Sequence, residues 1–196
     1  MNEEKAVLEF FSREENLQLA LAVASRMDAL REEMNSRFWQ ELKHRIDIQI
    51  SQHAPEWQTE LIEDRNSAGL LLGLQCKPQS ARQNCLFPML EQHQMGGTWR
   101  IVLGLMWQKQ TEPNPPETER LRQALNKTGF KSNEQFLAWR WTDFYPRRND
   151  FLLRFSTAPD QLLNEVESAF SALAIGHHPL ISRINAQLSA NAAEDR

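Results

Sequence analysis

The chain has 196 residues, 41% of them hydrophobic and 24% charged, with a formal net charge of −4 and a sequence pI near 5.8. That is enough chain for one sizeable core, and the composition excludes a disordered or fibrous protein. The acidic balance excludes a protein that coats nucleic acid through bulk charge, because such binding is driven by Lys and Arg neutralising phosphates.

Residues Glu3 to Phe11 form a short apolar lead-in, one or two turns of helix, whose Val7, Leu8, Phe10 and Phe11 require a cover. Ser12-Arg13-Glu14-Glu15 reads as a capping box, the hydroxyl accepting from the backbone of Glu15 and the carboxylate reaching back. A long amphipathic helix from about residue 12 to about residue 50 follows. Its stripe is Leu17, Leu21, Ala24, Met27, Leu30, Met34, Phe38, Leu42 and Ile46, spaced at about 3.6 residues. The pattern turns alternating at Arg45 to Ile50, where a strand is expected to begin.

From Ser51 to Ser67 the chain is polar with one Trp, and Asn66-Ser67-Ala68-Gly69 has turn composition. Residues Gly69 to Cys76 and Trp99 to Trp107 read as buried strands, the second after a Gly96-Gly97 turn. Both contain Leu-Gly-Leu, and a glycine inside a strand marks a close neighbour, expected here to be Trp39, Trp139 or Trp141. Ala81 to Gln94 is expected to be a short helix or loop. Glu112-Pro113-Asn114-Pro115-Pro116 reads as a linker, with Pro116 opening a helix to Lys127 and Gly129 stopping it. Phe136 to Phe144 and Phe151 to Phe155 are expected to form two antiparallel strands. Thr157 caps a helix with Pro159 in its first turn and Gly176 at its end. A last helix spans Pro179 to Leu188, and the polar tail follows at 189–196.

These elements predict one α+β domain over residues 1–196. A small antiparallel sheet packs against one long N-terminal helix and C-terminal helices, and the tryptophans are largely buried.

The segments from Glu15-Asn16-Leu17 through Ala29-Leu30-Arg31-Glu32-Glu33 to Arg37-Phe38-Trp39-Gln40-Glu41-Leu42 resemble the helix that follows the nuclease core in a group of prokaryotic PD-(D/E)XK nuclease superfamily proteins. The likeness covers roughly residues 12 to 45. The order of the later segments, around Trp99, Trp139 to Trp141 and Ala158 to Leu173, is similar in character. Only a handful of residues lie ahead of Ser12, so the resemblance implies a relative of the accessory region without the catalytic core, and the family's nuclease activity does not carry over.

A nuclease of that class requires a metal-binding Asp and a Glu or Gln two residues before a Lys, so that metal and ammonium converge on one phosphate. Gln75-Cys76-Lys77 has that shape, with Asp64 or Asp47 as the acidic partner; Mg or Mn would be required. This is the alternative reading. The preferred reading is a non-catalytic interaction module, without a cofactor, that binds a protein partner or self-associates. Weak nucleic-acid contact through Arg140, Arg147, Arg148 and Arg154, which lie near Trp139, Trp141, Phe144 and Tyr145, is the secondary expectation. His177-His178 reads as a solvated turn. Cys76 and Cys85, too few for a disulfide scaffold and without metal-ligand spacing, read as buried thiols in a reducing compartment. The acidic amino terminus and the absence of an apolar run of roughly 20 residues predict a cytoplasmic protein with no membrane partner.

Overall fold

The computed structural model describes residues 3–64, 71–80, 84–109 and 115–194. Among them, α1 (Glu3–Phe11) and α2 (Glu14–His53) lead into an antiparallel sheet. Strands β1 (Trp57–Asp64), β2 (Leu71–Pro78), β3 (Leu86–Met95) and β4 (Thr98–Trp107) follow in turn. Then come α3 (Pro116–Asn126), β5 (Phe136–Trp141), α4 (Asn149–Thr157), α5 (Pro159–Ala174) and α6 (His178–Glu194). The strands lie in chain order, β1-β2-β3-β4-β5. The architecture is α+β, with the long N-terminal helix and the C-terminal helices against the sheet. No helix among the described residues is long and apolar enough to cross a membrane.

One face of the sheet carries Leu72, Leu74, Leu86, Leu90, Ile101, Leu103 and Leu105 into a core that also takes Phe38, Trp39, Leu42 and Ile46 from α2 and Leu162, Val166 and Phe170 from α5. Trp39 is fully buried, so its indole N–H needs a partner, and it donates to Gln92 Oε1 at 3.0 Å. Phe38 meets Phe151 and Phe155 edge-to-face at centroid distances of 4.9 and 5.7 Å. Asn185 on α6 holds both backbone groups of Leu86, accepting from its N–H at 2.7 Å and donating to its carbonyl at 2.9 Å, as a neighbouring strand would. The other face carries a smaller cluster of Cys85, Phe87, Met89, Val102 and Phe136.

The β3–β4 hairpin turns through Gly96 and Gly97, at φ of 56° and 81°. Two residues with positive φ give the tight turn whose twist suits the flanking strands. A Cβ at Gly104 would lie 2.8 Å from the Ala138 carbonyl and 3.2 Å from Trp139 Cβ, so the expected Trp139 does cross this glycine. At Gly73 the close neighbours are Leu90 O and Glu91 Cγ, not a tryptophan.

Several local expectations are corrected. Residues 45–50 stay helical, because Ile46 and Ile50 continue the buried helical face. The Ser12 capping box does not form: Ser12 Oγ donates to Leu8 O at 2.7 Å, and the N-cap of α2 is Arg13, with no side-chain bond. Thr157 likewise donates back to Leu153 O, and Ala158 is the N-cap of α5. Residues 151–155 are helix, since Phe151, Leu152 and Phe155 face the core at helical spacing while Leu153 and Arg154 face out. Residues 86–94 are a strand. Pro88 is accommodated because the β2–β3 ladder begins only at Met89, so no bond to β2 is lost there. Trp57 to Asp64, read as polar chain, is edge strand β1. Trp39, Trp57 and Trp107 are buried, whereas Trp99, Trp139 and Trp141 are half-buried. The Asn66-Ser67-Ala68-Gly69 turn and most of the Glu112 to Pro116 linker lie outside the described residues.

Candidate interaction surface

At about 1.5 Å per residue, the 40 residues of α2 span roughly 60 Å. Burial divides the helix in two. Its buried residues are Asn35, Phe38, Trp39, Leu42, Ile46 and Ile50, all in the second half. The first half, with α1 before it, forms an arm that buries no residue. The expected stripe therefore ceases to be a core stripe above Asn35. Leu17, Leu21 and Leu30 are exposed, as are Val7, Leu8, Phe10 and Phe11, so the lead-in residues are not covered by the fold.

The arm carries a second apolar row, in which Leu19 and Val23, left out of the expected stripe, join its Met27, Leu30 and Met34. Leu19, Val23, Met27, Leu30 and Met34 recur at steps of 4, 4, 3 and 4 and so share one helical face. That face lies roughly a third of a turn from the core-facing one. Leu19 is 60% and Val23 51% exposed. At the base of the arm α4 runs beside α2, and Met27, Leu30 and Met34 line an open groove of about 330 Å³ with Leu152, Leu153 and Ser156. Leu153 is itself 64% exposed. Arg31 holds this wall in place, donating to Asp28 at 3.1 Å and to Asn149 at the start of α4 at 3.3 Å. Arg147 in the preceding loop lies 3.6 Å from Glu32. The signal was present in the sequence: Leu17, Leu19, Leu21 and Val23 put large apolar groups around most of the helix, more than one buried face needs.

The residues of the alternative nuclease reading are not gathered. The β1–β2 register sets Asp64 opposite Leu71, Glu60 opposite Gln75 and Gln58 opposite Lys77. Leu71 and Gln75 are four positions apart, so Asp64 stands about 13 Å along the ladder from Gln75 and farther from Lys77. Asp47, the other acid considered, is taken up by Lys43 at 2.7 Å. The Lys77 ammonium sits 4.5 Å from the centre of the Phe87 ring. Among the described residues no three His, Cys, Asp or Glu side chains are grouped to hold a metal ion.

The four arginines serve separate partners. Arg154 grips both oxygens of Glu165 at 2.8 Å, which holds that carboxyl below its ordinary range. Arg148 pairs with Asp150 at 3.1 Å and Arg147 with Glu32. Arg140 lies 4.7 Å from the centre of the Phe130 ring.

One polar constellation was not anticipated. His178 Nε2 lies 2.7 Å from Glu56 Oε1 and 3.2 Å from Ser182 Oγ, beside a pocket of about 160 Å³ that Glu56, Trp57, Cys85, Ser182 and Asn185 help to line. A hydroxyl is activated by a base whose carboxylate sits on the opposite ring nitrogen. Here both contacts fall on the same nitrogen, so the group is an anchor tying α6 to the start of β1, with the His178 ring 5.0 Å from that of Trp57. Cys76 and Cys85 are buried and unpaired with each other. Burial pushes their thiols up to about 12 and about 11, leaving neither as a nucleophile near neutral pH.

Comparison with protein-family models, with curated proteins and with solved structures finds no match for the chain.

Proposed function

We propose that the protein is a non-catalytic interaction module, and that the α1–α2 arm is the surface through which it docks a protein partner. The carrying observation is the divided helix: its second half is built into the core, whereas its first half buries nothing and displays Leu17, Leu19, Leu21, Val23 and Leu30. Exposed apolar surface on that scale marks an interface. The resemblance to the accessory region of PD-(D/E)XK nuclease superfamily proteins supports the same reading, since an accessory region works against another structure. Buried free thiols fit a reducing, cytoplasmic setting.

The degenerate Mg- or Mn-dependent nuclease has no geometric observation in its favour, because Asp64, Gln75 and Lys77 are spread along the ladder. Nucleic-acid contact through Arg140, Arg147, Arg148 and Arg154 is weakly supported, since carboxylates already neutralise three of the four. A photo-reactive residue placed at Leu19 in the producing cell tests the module. A discrete adduct is expected there and not at Gln123, an exposed position on α3 far along the chain from the arm. Absence of any adduct at Leu19 and at Val23 overturns the reading, as does plasmid cleavage by pure protein in Mg²⁺ or Mn²⁺ that is lost in Lys77→Ala.

A further inference from the structure

We infer that the partner of the arm is a second copy of this chain, and that two arms pair antiparallel along the row from Leu19 to Met34 about a two-fold axis near Met27. This rests on the arm being a docking surface. It adds which molecule docks and in which direction.

The row is self-complementary. A two-fold interface requires one patch to match itself, residue i meeting j while j meets i. Steps of 4, 4, 3 and 4 are nearly the same read in either direction. An antiparallel pair centred on Met27 therefore sets Leu19 against Met34 and Val23 against Leu30 of the other copy, twice over. Every large apolar member of the row gains an apolar counterpart.

Sterics favour the antiparallel direction. The groove that α4 makes with Met27, Leu30 and Met34 lies only at the base of the arm. Antiparallel pairing seats Leu19 and Val23 of one copy in the groove of the other, and sends the two bodies to opposite ends. Parallel pairing brings both bodies to one level and faces each groove with the other groove, so neither is filled.

Charge favours the same direction. The first turn of α2 carries Glu14 and Glu15. Antiparallel pairing brings them to the level of Arg37 on the other copy, whose only ion-pair partner among the described residues, Glu41, lies on the same helix in a solvent-exposed pair of small worth. Parallel pairing stacks the acidic turns on each other. One feature opposes association: the two Arg26 side chains flank the axis together, so Arg26→Ala is expected to tighten the pair.

The row offers Leu19, Val23 and Leu30, each roughly half exposed, and the groove beside it adds Leu153, so pairing buries apolar surface from both the arm and α4.

Light scattering on the purified full chain gives the mass, and single cysteines give the direction; the native Cys76 and Cys85 are buried and do not compete. Wild type is expected at twice the 22.8 kDa of the chain. Val23→Glu with Leu30→Glu is expected to be monomeric and folded, with the Tm that wild type shows when diluted to monomer, because losing the pair removes only the stability that association adds. Under oxidation Met27→Cys should link to itself. Leu19→Cys and Met34→Cys should each fail alone and link when mixed, because Leu19 lies about 22 Å from its own copy across the axis, well beyond the roughly 7 Å that a disulfide spans. A monomeric wild type at every concentration overturns the inference. So does Leu19→Cys linking to itself, which marks parallel pairing. A monomer whose Leu19 photo-adduct in cells is a different protein also ends the second-copy proposal, while leaving the docking surface in place. No adduct at all removes both.

Discussion

Single residues in this protein are legible when their burial and their bonds are considered together. His177 sits at the turn between α5 and α6, and burial lowers its pKa below the usual imidazole value. The unfolded chain then binds a proton more readily than the folded one, so stability falls as pH drops through about 6.5 and on towards the folded value, and is restored above it. A plot of Tm between pH 8 and 5 should therefore slope downward more in wild type than in His177→Gln. Identical slopes would show that the ring is solvated in the fold. The sequence alone suggested that solvated turn, because Gly176 and Pro179 flank the pair. It could not show that Glu56 and Trp57, more than 100 positions earlier in the chain, hold His178.

At the scale of elements, helix α2 does two jobs that one periodic pattern concealed. Phe38 lies against Trp39, Phe151 and Phe155 with no exposed surface. Its truncation to Ala should cost about 3–5 kcal/mol. Leu19→Ala, in the same helix with nothing beneath it, should stay within about 0.5 kcal/mol under conditions where the chain is monomeric. Urea denaturation of both variants measures the contrast, and comparable losses would mean that the arm is part of the core. The apolar period identified the helix, since sidedness repeats with the backbone turn. It could not separate a face that meets the sheet from one left in solvent, because both are apolar. Length limited the strand readings similarly. Phe-Leu-Leu-Arg-Phe at 151–155 suits a short strand or a short helix, and the choice is made by contacts with Phe38 rather than by local preference. Pro88 hid β3, and the single-sided alternation of Trp57, Thr59 and Leu61 hid edge strand β1.

At the scale of the molecule, a body of sheet and helices carries an arm about 30 Å long that adds no buried residue to it. The two Gly-Leu strands and the Gly-Gly hairpin were legible because glycine has few reasons to stand where it does, and the α+β class followed from them. The proposed interaction surface was half legible: the lead-in aromatics demanded a cover and Met27, Leu30 and Met34 stood in the expected stripe, while Leu19 and Val23 joined them only once the core-facing half of α2 was known. Hydrogen exchange read by mass spectrometry across a dilution series tests the division of α2 most directly. Amides from Phe38 to Ile50 should stay protected at every concentration, whereas those from Leu17 to Met34 should be protected in concentrated protein and lose that protection on dilution. Amides of the arm that remain as slow as those of the body in dilute, monomeric protein would contradict it, as would arm amides that exchange freely at every concentration.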